Sequence, residues 1–251
     1  MAKIVVFDSG LGSLSIIKPI RKKMSADIIY FADQKNFPYG TKSIIKLRKI
    51  INSTIVMLEK KFNPDLIVVG SNTPSLLLKD ITKKLNMVGV FPPLSSAIKK
   101  TKSNSIAILA TKSVVESTAL KKYVKKYVPK KIKVVKINAS PLVELVESGK
   151  FIYDKDFCKI KIRQILNPLL EYDVDIATLS STHLPFLLPL LKQIFPQIIF
   201  LDPANTIVDQ IIAKIHKKSK RNTMKIFTSG NVKIFQKQLS NMGIKNRVMK
   251  L

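Results

Sequence analysis

Cysteine is almost missing from this chain: Cys158 is the only one. A single thiol excludes an internal disulfide framework and any cysteine-rich zinc site. Long apolar runs are missing too. Pro or Lys interrupts each one well short of the ~20 residues that a membrane-spanning helix needs. Met1-Ala2-Lys3-Ile4 leads directly into a predicted strand, without the layout of a signal peptide. The expectation is a cytoplasmic protein with no membrane partner. No connecting segment is rich in Gly or Ser, so the parts of the chain are expected to be tightly apposed rather than strung apart. The full dinucleotide fingerprint is also missing, since Gly10-Leu11-Gly12 stands alone.

Acidic residues are scarce, 16 against 44 Lys and Arg, for a formal net charge of +28. Such a balance raises a nucleic-acid partner as one reading. The distribution argues against it. Basic residues fall in pairs such as Lys60-Lys61, Lys99-Lys100 and Lys125-Lys126, mostly on predicted helix faces where they are solvated. Arg, the better reader of base edges, is sparse. Nucleic acid is therefore not the expected partner. A positive field that draws in a small anion remains compatible with the charge.

At 251 residues and 46% hydrophobic, the chain is long and apolar enough for a substantial core in one domain or two. Apolar runs of strand length alternate with helix-length segments. Strands are predicted at 3–7, 27–31, 65–69, 88–90, 105–109, 131–137, 175–179, 198–201 and 225–227. Helices are predicted after Ser13, at 43–61, from the 71–74 stretch to about Leu85, at 113–127, 141–147 and 156–170, from Thr206 to Lys218, and at 232–242. This alternation implies parallel sheets joined by crossover helices.

Two strand-to-helix junctions stand out. Leu66-Ile67-Val68-Val69 runs into Gly70-Ser71-Asn72-Thr73-Pro74, and Ile176-Ala177-Thr178-Leu179 runs into Ser180-Ser181-Thr182-His183-Leu184-Pro185. Each is a buried strand delivering small polar groups to a helix start. Asn72 or Thr73 could serve only as caps, and Ser71 and Ser181 only as cap hydroxyls. Alternatively these groups meet a ligand, since exposed backbone N–H groups at a helix start favour an anion. Asp8 ends the first strand, at the edge where open α/β sheets bind ligands. Phe37-Pro38-Tyr39-Gly40 reads as a turn in a loop from Ala32 to Ser43. Cys158 and His216 lie outside these motifs and read as packing and surface residues.

Taken together, the motifs resemble the glutamate racemase family of cofactor-independent aspartate/glutamate racemases. They are Val6-Phe7-Asp8-Ser9-Gly10 with Leu14-Ser15, Phe37-Pro38-Tyr39-Gly40-Thr41-Lys42-Ser43, Ser71-Asn72-Thr73-Pro74-Ser75, Leu109-Ala110-Thr111, Pro141-Leu142-Val143-Glu144 with Val146-Glu147, and Ser181-Thr182-His183-Leu184-Pro185. They span nearly the whole chain in order. The resemblance implies an α/β protein of two similar lobes related by an approximate two-fold, each a mostly parallel sheet flanked by helices, with the site in the cleft between them. It implies a first lobe of residues 1–94 plus 208–251 and a second of 95–207. It further implies a small acidic amino acid as substrate, no cofactor, no metal, a homodimer, and a D-amino acid product of the peptidoglycan-precursor type.

In that family two cysteines exchange the α-proton from opposite faces of the substrate. Here their positions are Ser71, before Asn-Thr, and Ser181, before Thr-His; a third family cysteine aligns with Ser140. The resemblance makes Asp8, Ser71, Glu147, Ser181 and His183 the catalytic set. Ser9, Pro38, Tyr39, Gly40, Asn72, Thr73, Thr111 and Thr182 become the substrate-binding set. Val114 stands where the family often has threonine, and Asp202-Pro203-Ala204 where it often has Asp-Ser-Gly. A hydroxyl is a far weaker acid than a thiol, so each serine needs a neighbouring base: Asp8 for Ser71, and His183 or Glu147 for Ser181. The reading is a glutamate or aspartate racemase working by two-base proton transfer. The alternatives are an inactive descendant that binds an acidic amino acid or a macromolecular partner, and an isomerase or lyase of the same fold acting on a dicarboxylate.

Overall fold

The computed structural model describes residues 2–215 and 222–251. Ten strands are described: β1 (Lys3–Asp8), β2 (Asp27–Ala32), β3 (Leu66–Val69), β4 (Met87–Gly89), β5 (Ser105–Ala110), β6 (Lys133–Asn138), β7 (Ile176–Leu179), β8 (Ile199–Leu201), β9 (Thr223–Thr228) and β10 (Val248–Lys250). They form a six-stranded sheet in the order β10-β9-β2-β1-β3-β4 and a four-stranded sheet in the order β6-β5-β7-β8. Every pairing is parallel. Strands covered by helices on both faces have no solvent side, which is why β1, β3, β5 and β7 read as unbroken apolar runs.

The chain divides into two compact units, Met1–Val90 with Ala204–Leu251, and Phe91–Pro203. The first boundary lies just before the expected 94/95. Phe91 stacks on Tyr123, with ring centroids 6.0 Å apart, and so packs with the second unit. The return lies before the expected 207/208 because the helix Ala204–Lys214 packs on the helix Leu14–Lys23 and on β4. The expected helix end at Lys218, and His216, lie outside the described residues.

The strand order β2-β1-β3-β4 of the first unit recurs as β6-β5-β7-β8 in the second. The central pairs also match in register. Phe7 faces Val69 across β1 and β3, and Leu109 faces Leu179 across β5 and β7. One residue beyond each pair, the same backbone bond forms: Gly70 N–H donates to Phe7 C=O at 2.8 Å, and Ser180 N–H donates to Leu109 C=O at 2.9 Å. The two junctions recognised in the sequence are therefore one structural device used twice.

Several elements differ from expectation. The helix after Ser71 is short, Asn72–Leu77, and a second piece, Lys79–Thr82, follows. Leu78 breaks it by leaving helical geometry (φ −119°, ψ 48°) while its side chain stays buried. The helix expected at 113–127 is two, Lys112–Val115 and Thr118–Tyr127, with the Ser117 side chain accepting from Leu120 N–H. The one expected at 156–170 is Lys155–Leu166 and Pro168–Glu171, since Pro168 lacks the N–H to continue the helix. The helix Ile44–Phe62 begins at Ser43, which accepts from Lys46 N–H, and ends at Asn63 in the left-handed region. The 32–43 loop holds two 3₁₀ turns, Gln34–Asn36 and Tyr39–Thr41. The helices Leu94–Lys100 and Lys150–Tyr153 and the strand β10 were not anticipated. Cys158 is buried in the core of the second unit, as its packing role required.

Gly70 is the tightest point of the first junction. A Cβ there would lie 2.4 Å from Ser13 Cβ and 3.1 Å from Phe7 O. Gly70→Ala is expected to cost about 1–3 kcal/mol through overpacking, read as a lowered urea midpoint. Unchanged stability would show that the β1–β3 edge has slack.

Candidate active site

In the first unit the expected site residues gather where β1, β2 and β3 end. Asp8 is the last residue of β1 and is buried. Its carboxylate accepts the Ser9 N–H at 2.7 Å, while its carbonyl accepts the Asp33 N–H at 2.7 Å. Ser71 leaves the adjacent strand two residues past Val69, as Ser9 lies two past Phe7. Asp8 and Ser71 thus leave neighbouring strands at one sheet edge. The Ser71 side chain makes no capping bond to the helix that follows, so the cap-hydroxyl alternative fails there. It is partly exposed.

Asn72 is 3% exposed, and neither its Oδ1 nor its Nδ2 has a hydrogen-bond partner. A buried amide left unpaired costs about 1–3 kcal/mol. A chain keeps such a group where water or a ligand completes it. Thr73 is buried beside it in sequence. Both lie inside the helix Asn72–Leu77, whose N-cap position is Ser71.

The Phe37-Pro38-Tyr39-Gly40 turn is tied to the same edge. The Phe37–Pro38 peptide is cis. Tyr39 is buried, and its hydroxyl donates to Asp33 Oδ2 at 3.1 Å. Burial, then the charges of Asp33 and Asp8, push the Tyr39 phenol well above its usual range. It is a neutral hydrogen-bond donor at any ordinary pH. Pro38 and Gly40 are half-buried. Asp33 was overlooked in the sequence. It also accepts from Asn36 Nδ2 at 2.8 Å and from Ser229 Oγ at 3.0 Å, so the returning segment after β9 braces this turn. The signal was available: Asp33 follows an apolar parallel strand as Asp8 ends one, with Asp8 paired to Ala32 in register.

In the second unit, Thr111 and Ser181 follow β5 and β7, each two residues past the matched pair Leu109 and Leu179. Ser181, Thr182 and His183 are all buried. Ser180 Oγ lies 2.9 Å from Thr178 Oγ1, and Ser181 C=O accepts the Leu184 N–H at 3.1 Å. Thr111 Oγ1 lies 3.3 Å from Ser113 Oγ. Ser140 Oγ accepts the Lys112 N–H at 2.9 Å, a structural task. Glu147 ends the helix Ser140–Glu147, and its Oε1 is 2.6 Å from His183 Nε2. Their side chains are 13% and 6% exposed. The carboxyl and the imidazole thus form a buried hydrogen-bonded pair. The contact turns the imidazole so that Nε2 faces Glu147. Val114 is fully buried and offers no hydroxyl.

Among the described residues no group of three or more His, Cys, Asp or Glu is placed to hold a metal. None of the described helices is long and apolar enough to cross a membrane.

The repeated parallel α/β unit defines the class. A hydroxyl leaves the central strand pair of each repeat, with a carboxylate at the sheet edge of the first unit and an acid–imidazole pair within the second. No family model matches the chain. Glutamate racemase of Buchnera aphidicola subsp. Schizaphis graminum is 31% identical over 245 residues, covering 93% of this chain and 93% of the relative. The chain belongs to the glutamate racemase family. Two solved structures share its fold: glutamate racemase RacE1 of Bacillus anthracis, with a TM-score of 0.87, 24% identity and coverage of 100% of this chain and 97% of that one; and Escherichia coli glutamate racemase in complex with L-glutamate and the activator UDP-MurNAc-Ala, with a TM-score of 0.85, 24% identity and coverage of 100% and 98%.

Asn72→Leu separates stability from function. Removing an unpartnered buried amide is expected to leave the urea midpoint unchanged or raise it by up to ~2 kcal/mol of stability, while glutamate affinity by calorimetry falls at least ~10-fold. A clear loss of stability would contradict the assignment of Asn72 as a group completed from outside the chain.

Proposed function

We propose that this protein interconverts L- and D-glutamate by two-base α-proton transfer, without a cofactor, with Ser71 addressing one face of the α-carbon and Ser181 the other. The observation that carries the reading is that each unit holds a matched strand-end hydroxyl and a different ionisable group, Asp8 at the end of β1 in one and the Glu147–His183 pair in the other. The α-carbon–hydrogen bond breaks as Ser71 Oγ takes the proton, and the hydroxyl's own proton passes to the Asp8 carboxylate. The Ser181 hydroxyl delivers a proton to the opposite face and is reprotonated from the His183–Glu147 pair. The reverse direction uses the same groups in reverse order.

Asn72, Thr73 and Thr182 hold the α-amino and α-carboxylate groups. Ser9, the Pro38-Tyr39-Gly40 turn and Thr111 complete the binding set. The family membership supports glutamate as the substrate. A hydroxyl is a poor match to a base working near neutral pH, so turnover is slow relative to a thiol pair. The proposal includes a homodimer and a cytoplasmic location, and light scattering of the purified protein tests the first.

Racemisation followed by circular dichroism is expected from both enantiomers and is abolished by Ser71→Ala and by Ser181→Ala. Replacing both serines with cysteine is expected to raise the rate by roughly 100-fold, because the thiol pKa lies nearer the working pH. No racemisation by the unaltered protein with strong glutamate binding would overturn the reading in favour of an amino-acid-binding protein.

A further inference from the structure

We propose that Ser75 is a positioning residue for Ser71, acting through the main chain on one half-site only; this role rests on the racemase reading above. The Ser75 hydroxyl is fully buried. It accepts the Val90 N–H at 2.9 Å and lies 2.7 Å from Ser71 O and 3.2 Å from Val69 O. A hydroxyl has one proton to give, and the shorter distance assigns it chiefly to Ser71 O. Three chain segments therefore meet on one oxygen: the end of β3, the helix start, and Val90 just past β4.

Back-bonding of a helical serine to the carbonyl four residues earlier is common and of little consequence by itself. Two features set this instance apart. The carbonyl belongs to Ser71, and the helical N–H from Ser75 reaches it only at 3.3 Å, so the hydroxyl makes the shorter bond. The same oxygen also accepts from Val90, fifteen residues away in sequence. The Ser71 side chain makes no capping bond of its own, so its placement comes from its backbone (φ −134°, ψ 131°). Gly89 leaves the room this requires: a Cβ there would lie 3.0 Å from Ser75 Oγ and 2.9 Å from Thr82 Cγ2.

The second half-site lacks the device. Four residues past Ser181 stands Pro185, which has neither hydroxyl nor N–H. Removing the Ser75 hydroxyl therefore misplaces one base and leaves the other. A misplacement of about 1 Å costs on the order of 100-fold in rate.

For a racemase the equilibrium constant is one, so kcat/KM must fall equally in both directions whichever base is harmed. The asymmetry appears instead in the primary isotope effects with α-deuterated L- and D-glutamate. In Ser75→Ala, kcat is expected to fall about 10–100-fold with KM little changed. The isotope effect grows for the enantiomer that Ser71 deprotonates and shrinks for the other. Ser71→Cys with Ser75→Ala shows the same skew, and Ser75→Thr, which keeps the hydroxyl, restores the wild-type pattern. Partial unfolding would lower kcat while leaving both isotope effects unchanged. An unchanged rate, or equal changes in both isotope effects, overturns the role of Ser75 alone. Absence of racemisation by the unaltered protein overturns the racemase reading and this role with it.

Discussion

One backbone hydrogen bond, made twice, sets the geometry of this protein. Where β3 passes β1, Gly70 donates to Phe7; where β7 passes β5, Ser180 donates to Leu109. Each bond extends the parallel ladder one residue beyond the strands and then releases the chain. The next residue, Ser71 or Ser181, is the first free to turn away from the sheet. Parallel pairing with fixed register determines which side chain arrives there, because a slip of one residue would send it to the other face. At the first junction only glycine fits the residue that makes the bond.

The two units share this frame and differ in the ionisable groups that stand near it. In the first unit the acid comes from the strand itself: Asp8 ends β1, and the next residue's N–H binds its carboxylate. In the second unit Ala110 occupies the corresponding place at the end of β5. The acid there comes from a helix end, Glu147, and reaches Ser181's neighbourhood through His183. A hydroxyl alone is a poor general base near neutral pH, so the proposed mechanism assigns to these partners the proton handling that a thiol would perform for itself. The network around Asp33 stabilises the first half-site. It binds Tyr39, Asn36 and Ser229 and so ties the turn to the returning end of the chain.

The alternating strands and helices were legible because parallel strands buried on both faces leave long apolar runs, and the two junctions were legible because small polar residues interrupt them. The helix breaks at Leu78 and Ser117 were not. Leu78 is apolar and buried and continues the helical pattern, so only tertiary packing reveals the change of direction. β10 is three residues long and pairs with β9 alone, too short for a period to register. At the site, Asp8, Asn72, Glu147 and His183 could be named from motifs. The strand-end position of Asp33 was readable but overlooked, whereas the partners that give Asp33 and Ser75 their importance, Ser229 and Val90, are distant in sequence and were not readable.

The central claim is that two hydroxyls on different units exchange different protons. A single turnover of unlabelled L-glutamate in D₂O, analysed by mass spectrometry of both enantiomers, tests it most directly. The account predicts deuterium at the α-carbon of the D-glutamate formed and protium retained in the remaining L-glutamate, since the base that removes the proton is not the acid that delivers the new one. D-Glutamate that keeps the original protium would show one group carrying a single proton between faces, and would contradict the two-half-site account.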